Sequence, residues 1–334
     1  MPAGQAKKGT PIMLRKTLSW PVVMAALIAT ALPVAAKDKI RIAAPHPTII
    51  TSTIPALAKS LGYFDKADLD VEILWTAGGA DAQQATINGS VDIAVQTGLA
   101  GVLAGIQRGA PIAIVAAEAT GASDVVWYVR ADKPWKSLAD FQNNETISFS
   151  RPGSSSDFTL RTLIGHHHAK ARAVPSGSQP ETLVMVMSGQ LDAGFANPPL
   201  PAVFAEGKVR IIARGNDSPA MRGLTIRVHA ANATFLEKNR DAVKRFLAAW
   251  KQTIDALYAD PAVVAKSAEL VKISPAEATA IIKEFIPRES LVMNVIGDLD
   301  QSVEQAVVNK QLKSPLTAEQ KAAIHKTVAE LNAK

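Results

Sequence analysis

Cysteine is absent from all 334 residues. That absence removes disulfides, cysteine nucleophiles, cysteine-ligated zinc and an N-terminal lipid-bearing cysteine. A long apolar run is absent as well. The longest one, residues 22–32, is too short to span a bilayer comfortably. A lasting excess of one charge is also missing. The chain carries +6, but Lys7, Lys8, Arg15 and Lys16 all precede residue 37 and no acid does. Removal of residues 1–36 would leave +2, so the basic balance is no argument for a nucleic-acid partner. No serine–histidine–acid arrangement is brought together by the order of the strands.

What is present begins with a leader. Arg15 and Lys16 form a basic start, residues 22–32 an apolar core, and Val34-Ala35-Ala36 a small-residue end before Lys37. This is the pattern of a secretory signal peptide over residues 1–36, with Met13 an equally good start. Without cysteine there is no lipid anchor, and the expected location is the periplasm.

From Lys39 onward strand-like and helix-like runs alternate. Residues 39–44, 70–75, 91–95 and 112–117 read as strands. Between them lie a stripe of Ile54, Leu57, Ala58 and Leu61, a helix that Asp81 can cap, and the apolar helix 99–107. A second set follows: strands at 125–130, 146–150, 191–195 and 209–213, and a helix at 182–188 with Pro180 in its first turn. Residues 224–230 alternate like a returning strand. The spacing predicts α/β architecture with parallel sheet covered by helices. Beyond 230 the chain is mostly helical. Val243, Phe246, Leu247, Trp250, Ile254 and Leu257 form one stripe, and residues 274–277 and 317–320 are capping-box patterns. Forty-eight per cent hydrophobic residues suffice for a sizeable core or two lobes.

One stretch echoes another. Residues 87–94, Ile-Asn-Gly-Ser-Val-Asp-Ile-Ala, resemble residues 187–194, Met-Ser-Gly-Gln-Leu-Asp-Ala-Gly. Each is a helix end, a glycine fit for the C′ position and a strand opening with aspartate. Repetition at this spacing suggests two similar lobes with a small-molecule cleft between them. The stretch 150–160, Ser-Arg-Pro-Gly-Ser-Ser-Ser-Asp-Phe-Thr-Leu, follows one of the strands and opens a helix. It reads locally either as a plain cap, with Ser155 or Ser156 capping, or as a cradle of N–H groups and hydroxyls for an anion. Its place at a strand's carboxyl end favours ligand contact at Ser154, Ser155 and Ser156. Arg151 beside it can reach the ligand or the lobe rim. Glu118 ends a strand and either attracts a ligand amine or is a solvated acid. His166-His167-His168 point about 100° apart on a helix and cannot converge on one metal ion without partners.

Several motifs stand together in order: Leu61-Gly62-Tyr63-Phe64, Leu69-Asp70-Val71-Glu72, residues 88–94, Ser137-Leu138-Ala139-Asp140-Phe141 and residues 188–193. In this combination the chain resembles the periplasmic solute-binding proteins of ABC importers for sulfonates, taurine and nitrate, related to thiamine-pyrimidine-precursor binders. The likeness runs from Lys39 to about Phe285. It implies a two-lobed periplasmic-binding-protein fold of type II-like form, with two crossing strands, a C-terminal helical region and hinge closure on the solute. The lobes would be residues 37–125 plus 226–334, and 126–225. The implied function is capture of a small organic anion and delivery to an inner-membrane permease and its ATPase, by a monomer that is not an enzyme and uses no cofactor or metal. A pyrimidine-precursor, heterocycle or carboxylate binder, a chemosensory protein and an enzyme on the same fold are the alternatives. The pyrimidine-synthesising relatives carry a cysteine-rich iron segment, which this chain lacks. The resemblance places ligand contacts in the loops 45–48, 78–79, 96–98, 154–156 and 197–198, with Thr48, Gly79, Thr97, Gly98, Ser154, Ser155, Ser156 and Asn197 as candidates, to which the reading of single residues adds Glu118 and Arg151. Two departures are Gln142-Asn143-Asn144, in place of the usual glycine–lysine turn, and Phe195-Ala196-Asn197 where an aromatic contact is expected.

Overall fold

The computed structural model describes residues 36–143 and 145–333. The expected leader lies outside them except for Ala36, as does Asn144. Ten strands build two five-stranded sheets: β1 Asp38–Pro45, β2 Leu69–Thr76, β3 Ile93–Gly98, β4 Ile112–Thr120, β5 Val126–Arg130, β6 Thr146–Phe149, β7 Arg172–Pro175, β8 Ala193–Ala196, β9 Val209–Arg214 and β10 Thr225–Asn232. The first sheet has the order β2-β1-β3-β10-β4 and the second β7-β6-β8-β5-β9.

These orders are the same pattern twice. In each sheet three parallel strands are followed by two bound antiparallel, and the fourth strand comes from the chain's passage between sheets. The chain leaves the first sheet after Thr120, enters the second at Val126, and returns at Thr225 as β10. The sheets are parallel, as expected, over three strands and mixed beyond them. Each sheet is mixed because a crossing strand must run against its neighbours to come back.

The short echo in the sequence has a shared job. Gly89 and Gly189 take φ of 73° and 80° at the ends of their helices, the left-handed turn that glycine adopts without a Cβ penalty. Asp92 then accepts the backbone N–H of Arg41 at 2.8 Å, and Asp192 accepts that of Thr146 at 2.8 Å. Each aspartate thus pins the second strand in its sheet's order to the third.

Helices cover the sheets, and the packing explains their sequences. In the helix Arg240–Ala259 the stripe Val243, Phe246, Leu247, Trp250, Ile254 and Leu257 is buried, and truncating one such aromatic residue costs about 3–5 kcal/mol. Ser274 caps the helix Pro275–Phe285, and Thr317 forms a reciprocal capping box with Gln320. The helix expected to be capped by Asp81 instead starts at Gly79 after Gly78, which frees Asp81 for another contact. β10, expected to alternate, is buried from Thr225 to Ala231. A strand hydrogen-bonded on both edges and covered on both faces has no solvent side.

Candidate functional site

A cleft lies where loops from the two sheets meet. Its walls come from the end of β1 (Pro45, His46), the Gly78–Gly79 turn, Gln96 on β3, the Ser154–Ser156 stretch, Asn197 after β8, and Asp124 with Arg227 on the two crossings. It encloses about 50 Å³, room for about three or four waters at ~10–15 Å³ each. The sheets approach closely around it. A Cβ on Gly98 would lie 2.4 Å from the carbonyl oxygen of Gly153 and 2.8 Å from the nitrogen of Ser155, and one on Gly101 would lie 2.5 Å from the same carbonyl oxygen. Only a residue without a side chain lets these backbones touch.

The helix Ser155–His166 aims its N-terminus into this cleft. Ser154, rather than Ser155 or Ser156, is its cap. Its hydroxyl accepts the Asp157 N–H at 3.2 Å. The Ser156 hydroxyl accepts the Ser150 N–H at 3.0 Å and exchanges hydrogen bonds with Ser150 and Ser154. The backbone N–H groups of Ser155 and Ser156 have no partner among the described residues. They stand at the positive end of the helix, which carries roughly +0.5 charge.

The opposite wall is charged, and it was not foreseen. Arg227, 8% exposed, donates from Nε to Glu118 at 3.0 Å and from Nη2 to Asp124 at 2.6 Å. Its Nη1 and the Oδ1 of Asp124 have no partner among the described residues, and both residues line the cleft. Burial would lower the Arg227 pKa, but the Asp124 and Glu118 carboxylates outweigh it and hold the guanidinium charged. Burial pushes the Glu118 carboxyl up, with Arg227 opposing and Asp124 adding to the rise. Glu118 also accepts from Gln96 Nε2 at 2.9 Å, while Gln96 Oε1 accepts from Ser52 at 2.7 Å. Gln96 holds a positive φ of 55°, and its N–H donates to the buried His229 ring at 3.4 Å. Burial depresses the His229 pKa to about 3 and that of His46 to about 4, so both are neutral near pH 7. Two carboxyl groups thus share one guanidinium on this wall.

Of the expected contacts, Gly79, Ser154, Ser155, Ser156 and Asn197 line the cleft. The other five do not. Thr48 is exposed, because His46, at φ 46°, turns the chain outward before it. Thr97 is turned to the Gly79 carbonyl, to which its hydroxyl donates at 2.9 Å. Gly98 forms the backbone contact with Gly153. Glu118, 3% exposed, is not a solvated acid. It stands behind Arg227. Arg151 pairs with Asp81 of the other sheet at 2.7 Å, so it ties the sheets together at the cleft's rim. Asn197 donates to the Asp124 carbonyl at 2.6 Å and meets Gln179 through two further hydrogen bonds. Phe195 supplies an aromatic wall, whereas Trp75 packs against the core. Among the described residues no group of His, Asp and Glu is placed to hold a metal, the histidine triplet included. No described helix is long and apolar enough to cross a membrane.

The chain is similar to several known proteins. The chain is 25% identical over 223 residues to the 4-amino-5-hydroxymethyl-2-methylpyrimidine phosphate synthase THI13 of Saccharomyces cerevisiae, a match over 61% of this chain and 63% of that protein. Among solved structures, the periplasmic aliphatic sulphonate binding protein SsuA of Escherichia coli superposes with a TM-score of 0.65 at 20% identity, over 85% of this chain and 91% of the other. The alkanesulfonate-binding protein SsuA of Xanthomonas axonopodis pv. citri, bound to MOPS, superposes with a TM-score of 0.71 at 17% identity, over 86% and 98%. The fold is that of the periplasmic binding proteins, as expected. The model of the family described as NMT1/THI5 like matches residues 51–263, more than half of the chain. The chain belongs to the NMT1/THI5-like family.

Proposed function

We propose that this protein is the periplasmic solute-binding component of an ABC importer, and that it closes on a small organic anion that also carries an N–H donor. The observation that carries this reading is the pairing of unlike walls across one cleft. The cleft is lined by Ser155 and Ser156, whose N–H groups have no partner among the described residues, and by Arg227 and Asp124, whose Nη1 and Oδ1 have none either. An anionic end suits the helix terminus. An amine suits Asp124, whose Oδ1 has no partner among the described residues. A taurine-like aminosulfonate meets both demands, whereas a simple anion leaves the acid wall unanswered.

The cavity is smaller than such a solute, so entry requires the lobes, residues 37–125 plus 226–334 and residues 126–225, to part across the Gly98–Gly153 contact and the Arg151–Asp81 pair. Hinge motion about the two crossings is the motion this fold performs. Residues 1–36 serve as the signal peptide, and a membrane permease with its ATPase receives the solute from a monomer.

The donor–acceptor pair Arg227–Asp124 also favours a second reading, an aminopyrimidine, in keeping with the name of the yeast relative. A thermal-shift screen of sulfonates, taurine, nitrate, carboxylates and pyrimidines separates the two. Stabilisation should follow ligand concentration over the dissociation constant. Stabilisation by an uncharged pyrimidine and by no acid would replace the anion reading. Turnover of a screened compound would replace the binding reading.

A further inference from the structure

Away from the cleft, a second opening runs along the exposed face of the helix Arg240–Ala259. It measures about 640 Å³, within the ~300–1,000 Å³ of small-molecule sites. Two segments form its far side by covering the free edge of β4. The Met293 carbonyl accepts the Ala117 N–H at 2.9 Å, and Asn332 Nδ2 donates to the Val115 carbonyl at 2.9 Å. The floor is apolar, made by Leu247, Leu291, Met293 and Leu331, and Val292 stands 38% exposed beside it.

The rim is cationic. Lys244, Lys251 and Asp255 recur at i, i+7 and i+11 on one helix face, and Arg245 and Arg288 complete the lining charges. Asp255 is the single acid among the described lining residues, and it is shared by Lys251 at 2.6 Å and Arg288 at 2.5 Å. Burial would raise its pKa, but these two cations hold it below the usual carboxylate value. Arg245 is occupied by Asp38 and Asp241. Lys244 has no carboxylate partner among the described residues. Charge therefore remains unmatched around an apolar floor.

We propose that this groove binds a small anionic amphiphile, a carboxylate with an aliphatic chain. The head lies between Lys244 and the Lys251–Arg288 pair, and the chain covers Leu291, Val292 and Met293. An alcohol of the same length brings no charge to the rim, and an ammonium of the same length is repelled by it. The proposal is independent of the ligand in the cleft.

Calorimetric titration of the purified chain with octanoate, 1-octanol and octylammonium tests it. Octanoate saturates one site, and the other two bind at least about tenfold more weakly. Butyrate also binds at least about tenfold more weakly, for want of chain. Reversing the charge at Lys244→Glu and Lys251→Glu lowers octanoate affinity by about tenfold or more while the melting temperature holds. Val292→Asp, on an exposed side chain, lowers it without touching either cation and serves as the check if the double variant misfolds. Equal binding of octanol or octylammonium, indifference to these substitutions, or association with phosphatidylglycerol vesicles but not with free octanoate would overturn the proposal.

Discussion

Replacing Arg227 by methionine should damage the protein more than any single change at the cleft's hydroxyl groups. The structure sets the magnitude. Glu118 is 3% exposed and Asp124 5% exposed, and both lean on the one guanidinium. Removing one partner of a buried ion pair costs about 3–5 kcal/mol, because the other is left charged and dry. For a domain near this size that is a fall in melting temperature of about 6–20 °C, at about 2–4 °C per kcal/mol. The loss carries a pH signature. The folded-state pKa of Glu118 is already raised by burial, and losing Arg227 raises it further. A carboxyl of this kind favours the native state below its unfolded pKa and ceases to do so as pH rises through its folded value. The deficit of Arg227→Met relative to the parent should therefore be largest near about pH 7 and shrink toward about pH 5. Urea denaturation of both proteins at the two pH values reads it out. A deficit below about 1 kcal/mol, or one that grows on acidification, would refute the buried-triad account.

Three more expectations follow from the same geometry. Gly98→Ala places a Cβ within 2.4 Å of the Gly153 carbonyl oxygen, so the sheets must part, and small-angle scattering should show a larger radius of gyration; an unchanged radius would count against the interlock. Ser154→Ala should cost about 1 kcal/mol of stability through the lost cap, whereas Ser155→Ala should leave stability unchanged and weaken ligand binding; equal stability losses in chemical denaturation would contradict this division of roles. His229 and His46 are neutral when folded and take up protons when unfolded, so their contribution is present above about pH 6.5 and is lost as pH falls toward their depressed values; His229→Phe should flatten that acid limb of the stability curve.

Much of the fold was legible because its signals are local. Glycines at helix ends, capping serines and apolar strands marked the elements, and the repeated Gly–Ser–Val–Asp and Gly–Gln–Leu–Asp stretches announced the doubled sheet. The serine stretch was legible as a helix start at a strand's end, although three adjacent serines gave no way to choose Ser154 as the cap. Arg227 was not legible. Thr225-Ile-Arg-Val-His reads as an alternating strand with charged residues outward, yet β10 is central, so Arg227 faces inward to partners 103 and 109 positions away. A charged residue inside a crossing strand, with Asp124 and Glu118 near the other crossing, was the signal available. Thr48 failed for a backbone reason, since the left-handed turn at His46 cannot be read from a Pro-His-Pro run. Arg151, read as either a ligand contact or a rim residue, pairs with Asp81, which the sequence assigned to a helix cap that Gly78 supplies instead.

The central claim is that a donor-bearing anion spans the cleft from the Ser155 hydroxyl and N–H to Asp124, and Ser155→Ala removes the hydroxyl. Calorimetric titration of taurine and ethanesulfonate into the parent, Ser155→Ala and Asp124→Asn tests it most directly. The account predicts one saturable site that prefers taurine, weaker binding of both probes in Ser155→Ala, and a preference lost in Asp124→Asn. Equal affinity for the two probes in the parent, or a preference that survives Asp124→Asn, would contradict it.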